Sequence, residues 1–385
     1  MTSLVTNSSE NASGRVNIFT VHTENEFYNI HVPSKALVDM YATPLIYLVG
    51  FPGNVLSFLI WVKRRMRKSS GCYLAALAMA DLLFLSLHIV FELNNVWNHP
   101  LLDMPVVCEL FPVIFLGSQY LSPLLVLAFT VERYISICHP FQREKLCTTR
   151  RAVRVVISLY VLAFSLCAIQ GYFWTYNSET DACEIRDEVS AAGTKSLWSI
   201  WTWITEMLIF LVVPLMVLIL NAFVIKEARR LSREEEARLH GKQRKTSATT
   251  VTLLAVSFYL IITTLPVTIM YAIYFSFVPG NTLLTDQEIS RDPIWQSHLT
   301  YMFIRAVIQE IGTTHYACNF FIYLITGKMF REELKGLLSK LLCKPLADKT
   351  LLEYRSLNTC VGRSEKAVRV TIRKGGAEKQ EQAHL

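Results

Sequence analysis

Asp81, Glu92, Arg133, Glu206, Arg305 and Glu310 each interrupt a long apolar stretch of this sequence. An ionised side chain in hydrocarbon costs about 2.5 to 3.5 kcal/mol on insertion scales, so such residues mark binding, pairing or signalling. Glu92 follows Asp81 by 11 residues, about three helical turns, which sets both carboxylates on one helix face. Ser122 precedes Arg133 by the same interval. Arg305 stands 14 residues before Asn319, again close to one face, with Gln309 and Glu310 one turn further on. Glu92, Glu206, Arg305 and Gln309 thus read as candidate ligand contacts; a Glu310–Arg305 ion pair is the structural alternative. No nucleophile with its base, metal-ligand cluster or phosphate loop is legible, so the chain does not read as an enzyme.

Seven apolar runs must position these residues: Met40 to Val62, Cys72 to Val96, Pro105 to Cys138, Val153 to Tyr176, Leu197 to Ile225, Thr246 to Val278 and Gln296 to Ile325. Each can supply the roughly 20 residues that cross a hydrocarbon core. Composition agrees, with 52% hydrophobic and only 18% charged residues, against about 25% charged in soluble domains. The fold expected is an all-α membrane protein, a seven-transmembrane helix bundle. The net charge of +7 comes from short basic blocks between the runs, which is the pattern of cytoplasmic loops and excludes nucleic acid as a partner.

Those blocks are 63–68 after the first run, Arg143 to Arg154 after the third and Lys226 to Lys245 after the fifth. Placing them inside puts the amino terminus and the alternate connections outside. Asn7 and Asn11 open glycosylation triplets in that tail, and no cleavable signal peptide precedes the first run. Among nine cysteines, Cys108 and Cys183 fall on the outer side, where a disulfide is the natural reading and two free thiols the alternative.

The end of the third run reads Glu132-Arg133-Tyr134, then His139-Pro140-Phe141. This resembles the acidic-Arg-Tyr signature of rhodopsin-like (class A) G protein-coupled receptors, and Arg133 follows Cys108 by 25 residues, as in that family. Gly53-Asn54, the Leu77 to Leu82 run around Asp81, Pro214 and Pro266 match its other marks. Its Cys-Trp-x-Pro is replaced by Thr263-Thr264-Leu265-Pro266 and its Asn-Pro-x-x-Tyr by Asn319-Phe320-Phe321-Ile322-Tyr323. Ala222 and Tyr160 replace its fifth-run tyrosine and fourth-run tryptophan. The sixth and seventh runs look most like those of invertebrate FMRFamide-type peptide receptors.

The resemblance implies a heterotrimeric G protein on the inner face, with Phe141 as its apolar anchor. It also implies an Arg133–Glu132 pair in the resting state, released when the sixth helix swings out on Pro266. Thr246 replaces the acidic partner often found at the base of that helix. Asn54, Asp81 and Ser122, with Asn319 and Tyr323 beside them, would form a polar network; a sodium ion at Asp81, or hydrogen bonds without an ion, would complete it. Arrestin and receptor kinases are further implied partners. No cofactor is expected beyond that ion.

Phe115 stands where aminergic members bear aspartate, and the seventh run has no lysine, which argues against monoamines and retinal. Carboxylates outnumber basic residues on the predicted outer rim, so the ligand expected is a basic or amidated neuropeptide. The alternatives are a small lipid or carboxylate held by Arg305 and, from another class, a membrane transporter. The domains expected are an extracellular glycosylated tail (1–39), the receptor domain (40–325), an amphipathic membrane-surface helix (327–342) and a disordered cytoplasmic tail (343–385). Cys343, directly after that helix, is a candidate for palmitoylation or a free thiol.

Overall fold

The computed structural model describes residues 16–238 and 248–339. Asn7, Asn11, Thr246 and Cys343 lie outside them. The long helices follow the apolar runs because a backbone in lipid must satisfy its own hydrogen bonds. They are Pro33–Trp61, Ser69–Asn95, Val107–Cys138, Thr149–Cys167, Leu197–Met207 continuing through Val213–Arg238, Ala248–Ala272, and Pro293–Ala317 continuing as Asn319–Thr326. We call these the first to seventh spans. Among the described residues, six helices pass as membrane-crossing by length and apolarity. The seventh falls short; it bears Arg305, Gln309 and Glu310.

The third span is the axis of the bundle, packing against the second, fourth and fifth. Of its most apolar stretch 56% is interior, against 17% for the fourth, which turns Ile157, Val161 and Leu162 outward. Gly117 lets these two helices close: a Cβ there would come within 2.5 Å of Phe164 Cδ1. A Gly117→Val substitution overpacks this contact by about 1 to 3 kcal/mol. The detergent-purified protein is expected to melt roughly 2 to 10 °C lower, read by intrinsic fluorescence.

The fifth span contains one π-turn, Leu208–Val212, just before Pro214. Such a turn loosens the regular ladder, and here the Phe210 carbonyl accepts a 2.9 Å bond from the Thr268 hydroxyl of the sixth span. Asn54 donates to the Tyr316 carbonyl at 2.7 Å, joining the first and seventh spans.

Three features differ from the sequence expectation. Helix geometry ends at Phe173 rather than Tyr176, because Trp174–Asn177 (β1) pairs antiparallel with Ala182–Ile185 (β2). The sixth helix stops at Ala272 and not Val278, giving way to a 3-10 turn at Tyr274–Ser276. The run before the first span is also folded. Ile18–Val21 and Glu24–His31 are helices, the second started by a Thr23/Glu26 capping box, and the first span begins at Pro33. A second compact unit begins at Met329; the helix 328–339, whose first residue closes the first unit, has Phe330 and Leu334 buried and Leu338 exposed.

Candidate ligand pocket and coupling face

The Cys108–Cys183 disulfide ties the β1–β2 hairpin to the start of the third span. The Cys183 amide donates to Asp103 at 2.9 Å and the Tyr176 amide to Glu109 at 3.3 Å, while Phe173, Ile185 and Val189 form the hairpin's own small core. The rim carboxylates are less free than the sequence suggested. Asp181 accepts from Tyr176, Glu184 from Thr180, Asp292 from the Trp295 amide, and Glu26 and Glu288 close capping boxes. None of these neutral donors cancels a charge, so the rim remains acidic.

Beneath it, Glu92 is buried in the second span, with Oε1 3.9 Å from His88 Nε2 and Oε2 without a hydrogen-bond partner. His88 Nδ1 lies 2.7 Å from the Tyr47 hydroxyl of the first span. Across the cleft Glu310 accepts from Thr43 at 2.9 Å, and its second oxygen is likewise buried without a partner. Asp39 and Lys35, paired at 2.8 Å, lie within electrostatic reach of both carboxylates. Three acids therefore face one ammonium in this corner of the first, second and seventh spans.

The wall of the corner is aromatic. Phe115 stacks with Phe91 at 5.2 Å and Phe111 at 5.4 Å, and Phe84 lies 5.6 Å away. Flat apolar rings beside unpartnered carboxylates suit a cation on an apolar stem.

The predicted Glu310–Arg305 ion pair does not form. Five residues apart, the two side chains leave the helix about 140° from each other, so neither follows the i, i+4 relation. Arg305 lies over the Tyr274 ring at 5.4 Å instead, and Gln309 is exposed one turn along. Glu206 of the fifth span takes a 2.9 Å bond from Tyr120 of the third and belongs to a separate part of the bundle.

Deeper, Asp81 Oδ2 accepts from Asn319 at 2.8 Å, Ser122 stands beside the same carboxylate, and Oδ1 has no partner. Asn319 also donates to the His315 carbonyl at 3.1 Å, and the His315 imidazole turns away to the Gly312 carbonyl. Tyr323 is buried with its ring edge-on to Trp61. In the sixth span, just before Pro266, the hydroxyls of Thr263 and Thr264 donate to the Tyr259 and Leu260 carbonyls one turn back in their own helix.

At the opposite end, Arg133 does not pair directly with Glu132. Its Nη2 donates to the Ser70 hydroxyl, which donates to Glu132 at 3.1 Å; Ser69 donates to the other carboxylate oxygen. Two serines that start the second span thus divide the expected pair, and Arg133 also lies over the Phe129 ring at 5.3 Å. Their Ser-Ser doublet gave no signal in sequence, because the contact joins residues more than 60 positions apart. Tyr134 packs edge-on against Phe223 and His139. Phe141, on the short helix Pro140–Leu146, is 96% exposed.

A family model described as 7 transmembrane receptor (rhodopsin family) matches residues 53–325. The chain belongs to that family. The receptor is 26% identical to the neuromedin-U receptor 2 of Rattus norvegicus, over 77% of its own length and 74% of that protein. It is 38% identical to the human motilin receptor over 33% of this chain and 31% of the other. It is 31% identical to the pyrokinin-1 receptor of Drosophila melanogaster over 31% and 28%. None of these three is an FMRFamide-type receptor, so these relatives do not confirm that finer likeness. Family membership makes the receptor a multi-pass membrane protein, not an enzyme and not a transporter.

Proposed function

We propose that this receptor binds an extracellular basic or amidated neuropeptide at the Cys108–Cys183 end and activates a heterotrimeric G protein at the Arg133 end. The observation that carries the ligand class is the Glu92–Glu310 corner, where buried carboxylate oxygens lack partners beside a row of stacked aromatic rings. An arginine or ammonium group supplies the missing donors. The relatives are peptide-hormone receptors, which supports the same class. Glu92, Phe115, Glu206, Arg305 and Gln309 are the proposed ligand contacts.

Glu132, Arg133, Tyr134 and Phe141 form the proposed coupling face, with Pro266, Asn319 and Tyr323 transmitting the change. The basic blocks support a cytoplasmic position for this face and for the segment 343–385, with 1–39 outside; 40–325 is the proposed receptor domain and 327–342 the proposed membrane-surface helix. Lipid surrounds the spans, and arrestin and receptor kinases share the cytoplasmic face. Glycosylation at Asn7 and Asn11 and palmitoylation at Cys343 belong to the same reading. The unpartnered Asp81 oxygen, on a carboxylate that Asn319 and Ser122 adjoin, suits a sodium ion or an ordered water, with Asn54 as a further member of the proposed polar network.

The test is a screen of amidated peptides on cells expressing the receptor, with calcium and cyclic AMP both read. Peptides carrying arginine or lysine near the amidated end are expected to activate it. Activation by a fatty acid or small carboxylate, with all such peptides silent, moves the ligand to Arg305 and overturns the reading.

A further inference from the structure

The outer half of the first span carries Lys35, Asp39, Thr43 and Tyr47, polar groups spaced four residues apart. Each step turns the helix by only about 40°, so the four lie along one slowly winding stripe. That stripe meets the acidic corner. Thr43 donates to Glu310 of the seventh span at 2.9 Å, and the Tyr47 hydroxyl lies 2.7 Å from His88, one turn before Glu92 in the second span. Lys35 Nζ donates to Asp39 Oδ2 at 2.8 Å, and both residues act electrostatically on Glu92 and Glu310.

Nothing in the first helix itself favours a lysine at that place. Val32 precedes the span without a side-chain cap and Pro33 opens it, so Lys35 stands in the first turn, where the free amides repel a cation. Lysine four residues before its acid is also the weaker order for such a pair. The turn is nonetheless firmly held, because Val32 is buried in one cluster with Phe27, Trp295 and Leu299. What suits an ammonium here is the corner beside it. Glu92 Oε2 and Glu310 Oε2 are buried without hydrogen-bond partners, and of the three donors of a lysine Asp39 takes one. Arg305, the seventh span's own cation, lies over the Tyr274 ring instead.

We propose that Lys35 is a tethered counter-ion of the Glu92–Glu310 corner, which the cationic group of a ligand displaces, so that Lys35 sets the receptor's sensitivity to charged ligands. This rests on the cationic-ligand reading and adds to it the cation with which the ligand competes. The Lys35 side chain is 28% exposed and that of Asp39 12%, so the ammonium stands at the mouth of the corner. Its four-carbon stem lets it swing to water when a guanidinium takes its place. Asp39, released from Lys35, then becomes a third acceptor for the ligand.

Lys35→Met keeps the apolar stem and removes the charge, whereas Lys35→Arg keeps the charge. The full-length receptor in lipid nanodiscs is melted by intrinsic fluorescence with argininamide as the cationic probe. Citrullinamide, whose side chain is the uncharged urea isostere, is the control at matched ionic strength. Without a probe, Lys35→Met should lower the melting temperature, and should lower it less in a Glu92→Gln background, where one of the acids it balances is gone. The argininamide concentration that gives half the maximal shift should fall about 3- to 10-fold in Lys35→Met, the effect of removing one partly screened like charge. It should not fall in Lys35→Arg, and citrullinamide should gain nothing from either change. Lys35→Gln serves the same comparison if the methionine variant does not fold. The peptide screen decides the cationic-ligand reading separately, since basic peptides can activate the receptor whichever way Lys35 behaves. A melting effect of equal size with and without Glu92→Gln, or a half-maximal argininamide concentration that does not fall when the Lys35 charge is removed, overturns the proposal.

Discussion

Alanine at both Arg133 and Phe141 is expected to abolish agonist-stimulated second-messenger signalling while leaving agonist binding at the cell surface within about threefold. Phe141 exposes 96% of its surface in the receptor alone, so its removal disturbs no internal packing. Exposed replacements of that kind usually change stability by no more than about 0.5 kcal/mol. An exposed aromatic ring that anchors a partner is instead worth about 2 kcal/mol or more at the interface, roughly a 30-fold loss of coupling. Arg133 adds to this through its guanidinium. At rest it is held by Ser70 and Phe129, and in the proposed function it leaves both to donate to a G protein. Charge-assisted bonds of this type contribute about 1.5 to 3 kcal/mol. Cyclic AMP and calcium assays beside radioligand binding on the same cells check the expectation.

The second large effect falls on the ligand. Glu92→Gln is expected to weaken a basic peptide about 10- to 100-fold, read as the agonist concentration for half-maximal response, because it removes a charged acceptor while keeping the side chain's shape. Cell-surface expression should not fall. Glu92 Oε2 has no partner in the receptor itself, so neutralising it breaks no internal bond and lifts the cost of burying a carboxylate. Arg305→Gln, made beside it, should shift potency by less than about threefold. The reverse ranking would relocate the ligand to the Arg305–Tyr274 side.

Both effects concern residues that sequence alone brought forward, and the reason is the solvent. In hydrocarbon a run of about 20 apolar residues has few alternatives to a helix, and a carboxylate inside one is conspicuous. Asp81 and Glu92 announced themselves in that way, whereas Arg133 and Phe141 were legible through the resemblance of Glu132-Arg133-Tyr134 and His139-Pro140-Phe141 to the receptor signature. The Cys108–Cys183 bridge was legible because the charge rule sorted cysteines by side before any pairing was considered. Such reasoning weakens where the chain leaves the apolar runs. Trp174 to Tyr176 continues the fourth run's apolar character, yet the hairpin tied to Cys108 draws it into a strand.

Contacts between distant segments were illegible for a related cause. The 18–31 helices carry a capping box that can be read, but their docking depends on Phe27 meeting Trp295 some 270 positions away, and no periodicity encodes that. Ser70 standing between Arg133 and Glu132 is the same kind of fact. The Arg305–Glu310 expectation failed differently: five-residue spacing on a helix was enough to reject it, and the near-adjacency of opposite charges obscured that.

The central claim is that one end of this bundle recognises a cationic peptide and the other drives a G protein. It is tested most directly by guanine-nucleotide exchange on a purified heterotrimer, using receptor in lipid nanodiscs and the peptide that the cell screen selects. The account predicts that the peptide accelerates exchange through the natural receptor, and that Arg133→Ala/Phe141→Ala removes the acceleration while labelled peptide still binds. Exchange that proceeds undiminished in that double variant, or that a small carboxylate drives when no basic peptide can, would contradict it.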